Sequence, residues 1–130
     1  ILRYLLVPED TELPAGLTYI GESAFYYAAM TSVTLPAGVT EIGERSFYNI
    51  AALTEFNFSE SLKTIGEFAF YYYDLGQTEL SAVTLPASVE FVGFRAFPDG
   101  CEITALNPDT HFETEEEINQ RNPDWAYRIP

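Results

Sequence analysis

A six-residue motif of isoleucine or valine, glycine, two variable residues, alanine or serine, and phenylalanine recurs four times in the 130 residues, at Ile20 to Phe25, Ile42 to Phe47, Ile65 to Phe70 and Val92 to Phe97. A second block runs in phase with it, as Met30-Val33-Leu35-Pro36, Leu53-Phe56-Phe58-Ser59 and Leu80-Val83-Leu85-Pro86. Leu2-Leu5-Val7-Pro8 has the same internal spacing ahead of these, and Ile103 and Leu106 start another copy that ends at Asn107-Pro108. The chain thus reads as four full units between two partial ones, over residues 1–108. A period in the twenties is the signature of a solenoid. A lone unit of that size cannot bury enough apolar surface to offset the entropy of ordering its backbone, so the units must stack.

Within a unit, the alternation of Val33 inward, Thr34 outward and Leu35 inward reads as a strand with one buried face, stopped by the following proline. Val39 to Ile42, Leu62 to Ile65 and Val89 to Val92 start a second short extended piece. The glycine after it reads as a bend that a side chain would hinder, and the phenylalanine plugs the space between the two layers. The third unit is longer, with Asp74-Leu75-Gly76-Gln77 as a small inserted loop. The expected fold is a β-rich solenoid with short strands on two layers and little helix.

Leu35-Pro-Ala-Gly-Val-Thr-Glu-Ile-Gly-Glu-Arg-Ser-Phe-Tyr48 resembles a unit of the BspA-like leucine-rich repeats, and the resemblance extends over about residues 2–108. It implies a right-handed, curved solenoid of a bacterial surface or secreted protein, in some members with a role in adhesion to host proteins or other cells, and it implies no catalytic residues. This chain departs from the family pattern in two ways. Family units often carry a small buried cysteine soon after the phenylalanine, where Ala28, Ile50 and Tyr73 stand here, and Phe58-Ser59 replaces Leu-Pro, making the third unit bulkier and altering its local curvature.

Twenty acidic residues against six basic ones give a formal charge of -14, which repels phosphate backbones and anionic lipid, so neither nucleic acid nor a membrane surface is an expected partner. No run approaches the ~20 apolar residues of a membrane span. Starting at Ile1 without methionine and stopping at Ile129-Pro130, the chain is read as a piece of a longer protein. The single cysteine, Cys101, rules out an internal disulfide and reads as a bystander. His111 has no second ligand at metal-binding spacing and reads as a surface residue. No phosphate loop or serine-nucleophile motif occurs. Neither cofactor nor metal is expected, and no general base with a partner can be nominated. Asn57-Phe58-Ser59 fits a glycosylation sequon, but Asn57 reads more simply as a sheet-face residue.

Two surfaces are candidates for binding a protein. Outward positions of the first strand layer are Tyr4 and Leu6, Ser32 and Thr34, Glu55 and Asn57, Ala82 and Thr84, then Ala105 and Asn107. They form a column on the concave face, with Thr34, Glu55, Asn57 and Thr84 as the candidate contact residues; such a column is also what any solvated sheet needs. Six tyrosines, Tyr26, Tyr27, Tyr48, Tyr71, Tyr72 and Tyr73, follow the repeat phenylalanines and form a ridge, either exposed for recognition or packed over neighbouring loops. Tyr71, Tyr72 and Tyr73 beside the insertion are the least repetitive part. From Asp109 to Pro130 the chain reads as a capping tail. Thr114 and Glu117 have capping-box spacing at the start of a short helix, and Phe112, Ile118, Trp125 and Tyr127 are expected to close the open end of the core. Function reads as a non-catalytic interaction or adhesion module, with an architectural spacer that binds nothing as the alternative. Self-association through open solenoid ends is a further candidate contact.

Overall fold

The computed structural model describes residues 12–72 and 80–128, the last two as backbone only; the inserted loop and Tyr73 fall outside them, as do Tyr4 and Leu6. Short strands alternate between two layers: β1 (Tyr19–Ile20), β2 (Ser32–Thr34), β3 (Glu41–Ile42), β4 (Glu55–Asn57), β5 (Thr64–Ile65), β6 (Ala82–Leu85), β7 (Phe91–Val92), β8 (Glu102–Ala105) and β9 (His111–Phe112). The helix α1 (Glu115–Arg121) and a 3-10 turn at Trp125–Arg128 follow. All pairings are parallel, and the odd-numbered strands make one continuous sheet in the order β1-β3-β5-β7-β9. The expected β-solenoid of stacked units is therefore the fold, and the ladder runs on through His111 and Phe112, past the Asn107-Pro108 corner.

Between the layers lies one core, to which Val33, Leu35, Ile42, Phe56, Ile65, Val83 and their neighbours contribute. Its spine is the column of repeat phenylalanines. Phe25, Phe47, Phe70 and Phe97 follow one another with ring centroids 5.2, 5.3 and 5.1 Å apart and interplanar angles of 13°, 3° and 3°. That spacing is close to the ~4.8 Å between hydrogen-bonded strands, so one ring per unit fills each level of the interior without strain.

The turns after each glycine are laddered too. Ser23, Phe25 and Tyr27 donate their N–H groups to the carbonyls of Glu44, Ser46 and Tyr48, and Arg45, Phe47 and Asn49 to those of Glu67, Ala69 and Tyr71, at 2.7 to 3.0 Å. Each turn places a non-glycine residue in the left-handed region at the same motif position, Ser23, Arg45, Phe68 and Arg95, and the first two turns add Tyr27 and Asn49, with φ between 50° and 61°. Stacking, by satisfying these turn amides on the next unit, holds conformations that would cost an isolated turn about 1 kcal/mol or more.

The motif glycines do not themselves adopt that left-handed backbone, contrary to their expected role as bends. Their value is close approach. A Cβ on Gly66 would stand 2.6 Å from the Glu44 nitrogen, and one on Gly43 2.8 Å from the Ile20 carbonyl oxygen. Gly43, Gly66 and Gly93 are places where one unit's backbone passes against the previous one.

The first strand layer is interrupted. β2 pairs with β4 and β6 pairs with β8, but no ladder joins β4 to β6. Here Phe58 occupies the position that Leu35 and Leu85 hold in the flanking units, and its half-buried ring packs on Phe56 and Phe70 at 4.8 and 6.0 Å. The departure at Ser59 has a local reason: in place of the proline, its buried hydroxyl donates to the Val39 carbonyl at 2.6 Å.

Candidate interaction surface

Thr34, Glu55, Asn57 and Thr84 all lie exposed on the outer face of the first layer. The amide of Asn57 donates to Thr34 Oγ1 at 3.1 Å and to Glu55 Oε2 at 3.2 Å, so these three form one hydrogen-bonded patch across β2 and β4. Thr84 stands beyond the interruption, on β6. Its neighbour across the β6–β8 ladder is Thr104, and that of Ala82 is Glu102. The column therefore continues through Glu102 and Thr104, not Ala105 and Asn107. Alternation in Glu102-Ile103-Thr104, matching Ala82-Val83-Thr84, was the available signal; Leu106 misdirected it. Leu106 is instead 59% exposed.

A groove of about 470 Å³ opens at the interruption. Phe56 and Phe58 lie among its lining residues, together with Asn57, Thr84, Thr104 and the two carboxylates Glu55 and Glu102, and no cationic side chain.

The tyrosine ridge exists, but the tail lies on it. Tyr26 stacks on Tyr48 at 5.2 Å, and Tyr48 meets Tyr71 at 6.2 Å, along the outside of the turns. Tyr48 is wholly buried, Tyr71 is 8% exposed and Tyr26 and Tyr72 are half-buried, so that among the described tyrosines of the ridge Tyr27, at 50%, is the most open. Ile118 of α1 is buried in a second apolar cluster with Tyr48, Phe68, Tyr71 and Phe94, and Trp125 packs against it. The Trp125 ring lies 5.9 Å from that of Phe68 and 5.0 Å from that of Phe94.

Ionic contacts clamp the tail. Arg121 donates from Nε to Glu113 at 2.7 Å and from Nη2 to Glu113 and Glu67 at 2.9 and 2.8 Å, while the buried Glu113 also accepts from the Phe94 N–H at 3.0 Å. Hydrogen bonding to Glu113 raises the guanidinium pKa further above its ordinary value, which keeps Arg121 charged. At the helix start the expected capping box is present: Glu117 N–H donates to Thr114 Oγ1 and Thr114 N–H to the Glu117 carboxylate. That backbone bond, with a smaller contribution from His111 at 2.9 Å, holds the Glu117 pKa below its usual range.

Consequently Ile118 and Trp125, expected at the open end of the main core, lie in this second apolar cluster instead, and the side chain of Tyr127 falls outside the described residues. The tail folds back along the outside of the turns, where Ile118 and Trp125 find apolar partners. Phe112, 41% exposed, stays on β9 at the end of the sheet, with Ile103 also partly open. Sequence reading missed Phe68 and Phe94. Their signal lay in the two variable positions of the motif, which are Glu22-Ser23 and Glu44-Arg45 in the first two units but Glu67-Phe68 and Phe94-Arg95 in the last two.

Other reactive residues are quiet. Cys101 is half-buried, and loss of solvent together with the Glu102 charge pushes its thiol pKa up to about 11, so it stays protonated at neutral pH. Exposed His111 bonds to Glu117. Among the described residues no group of three or more histidine, cysteine or carboxylate side chains could hold a metal ion, and no helix is long and apolar enough to cross a membrane.

No curated protein is significantly similar to this chain in sequence. Among solved structures, it is similar to a leucine-rich repeat protein from Bacteroides capillosus, with a TM-score of 0.61 and 30% identity over 76% of this chain and 73% of that one. It also shares its fold with the leucine-rich repeat protein of T. pallidum, at a TM-score of 0.54 and 19% identity, covering 79% of this chain and 51% of that one. Residues 8–119 match the BspA type leucine-rich repeat region in six copies. The in-phase motif, the laddered rungs and these matches agree: the chain belongs to the BspA type leucine-rich repeat family.

Proposed function

We propose that this domain is a non-catalytic protein-interaction and adhesion module of a bacterial surface or secreted protein, whose contact surface is the outer face of the first strand layer. The observation that carries this reading is the exposed patch of Ser32, Thr34, Glu55, Asn57, Thr84 and Thr104 on the two strand pairs of the first layer, adjoining the 470 Å³ groove. Repeat arrays commonly bind through such an extended sheet face. Among the described residues, Glu67, Glu113 and Arg121 are committed to the clamp that holds the tail, which supports a structural role for that charged cluster. Partners of net positive charge are favoured by the charge of -14.

The spacer reading has an observation in its favour as well. Tyr48 and Tyr71, the middle of the tyrosine ridge that would have been the large apolar contact surface, are buried in the cluster that the tail joins. Immobilised protein exposed to bacterial envelope extract and to host matrix proteins decides between the two. We expect capture, and a loss of about tenfold for Ser32→Arg with Thr34→Arg, two substitutions that leave the core untouched. Equal capture by both proteins, or none by either, would overturn the interaction reading in favour of the spacer.

A further inference from the structure

The break in the first strand layer has an unusual physical consequence. Parallel strands in a stacked solenoid normally satisfy each other's backbone groups along the whole array, as the second layer does here from β1 to β9. Between β4 and β6 the described residues exchange no hydrogen bond, so each strand presents an unpaired edge to the other in the middle of the molecule. An unpaired edge is a template for another strand. Elsewhere such edges occur at the ends of an array; here two of them face one shared groove.

Its size fits a specific occupant. One residue of strand, taken as ~4.8 Å wide, ~3.3 Å long and ~10 Å thick, fills about 160 Å³. The groove of about 470 Å³ therefore matches about three residues, which is also the length of β4. The chemistry along it is graded. At one level the outward groups are Glu55 and, across Ala82, Glu102; at the next, the inward groups are Phe56 and Val83; at the third, the outward groups are Asn57 and Thr84, with Thr104 beyond.

We propose that the interruption between β4 and β6 is a docking slot for an extended segment of a partner protein, which enters as the missing strand and carries the sequence pattern basic, apolar, small polar. The proposal rests on the interaction reading and names its site. The inserted backbone bonds to β4 and β6. Its basic side chain lies beside Glu55 and Glu102, where no cation competes; its apolar side chain turns down onto Phe56 and Phe58; its small polar side chain meets Asn57 and Thr84. Backbone pairing provides affinity, and alternate side chains provide selectivity, as in other strand-addition complexes.

The test uses the whole chain, isotopically labelled, and a capped pentapeptide of glycine, lysine, valine, threonine and glycine. We expect saturable amide shifts confined to Glu55 to Phe58 and Ala82 to Leu85, with a dissociation constant on the order of 1 mM, as befits so short a ligand. Glutamate in place of the lysine weakens binding at least ~tenfold, as does Glu55→Lys in the protein. A methyl group on the valine nitrogen, which removes one ladder donor, lowers affinity further. Shifts elsewhere on the surface, shifts indifferent to the lysine, no shifts at all, or cross-strand contacts between β4 and β6 in the free protein would each overturn the slot. If the peptide fails while capture of protein partners remains sensitive to Ser32→Arg with Thr34→Arg, the slot is wrong and the interaction reading stands. Loss of both sinks both.

Discussion

The repeat glycine illustrates how one residue type can serve the same motif for a reason that its sequence does not reveal. Gly21, Gly43, Gly66 and Gly93 are equivalent in the motif but not in surroundings. A Cβ on Gly21 would approach nothing nearer than a tyrosine ring carbon at 3.9 Å, whereas on Gly66 it would press into the backbone of Gly43 and Glu44. Backbone cannot swing aside as a side chain can. Gly66→Ala is therefore expected to cost about 2 to 3 kcal/mol in urea unfolding, in the range of core overpacking, while Gly21→Ala changes stability by less than about 0.5 kcal/mol. Equal losses at the two positions would show that glycine serves the bend rather than the stacking.

At the scale of elements, the tail is the informative case. Its helix start was legible because a capping box is local: Thr114 and Glu117 satisfy each other's backbone amides whatever else the chain does. Where the helix docks was not legible, because it depends on Phe68 and Phe94, which lie far away in sequence and come alongside only after the units stack. The clamp makes this docking testable. Removing Arg121 leaves Glu67 and Glu113, both buried, facing each other without their cation. Breaking a buried ion pair costs roughly 3 to 5 kcal/mol, and the half-exposed Arg121 belongs at the low end. Arg121→Met should thus free the tail before the solenoid unfolds. Since Trp125 is the chain's one tryptophan, its fluorescence reports the tail alone: emission shifts red at lower urea than the loss of the β-sheet circular dichroism. Coincident transitions would mean that the clamp adds nothing to docking.

At the scale of the whole molecule, stability belongs to the array, and each rung is supported by its neighbours. Phe47 and Gly66 amides donate to Ala69 and Ile42 in the middle of the stack, and Leu106 and Glu113 amides to Leu85 and Val92 at its end. All four are hydrogen-bonded, so differences in their exchange measure rung stability rather than bonding. We expect the two central amides to exchange about 100-fold more slowly than the two terminal ones, because Ile103, Leu106 and Phe112 beside the latter are exposed. Uniform rates would instead make the array one cooperative block.

The sequence by itself determined the stacked units, their phase, the alternation that puts Val33 and Val83 inside and Thr34 and Thr84 outside, and the helix cap. These follow from periodicity and local hydrogen bonding, which are properties of short stretches of chain. Tertiary structure alone decided that Tyr48 and Tyr71 of the tyrosine ridge are buried, that the column continues through Glu102 and Thr104, and that the first strand layer parts between β4 and β6. Each of those depends on which surfaces meet after stacking. A repeat can place equivalent residues at equivalent heights, but only packing across units decides which of them stay in contact with solvent.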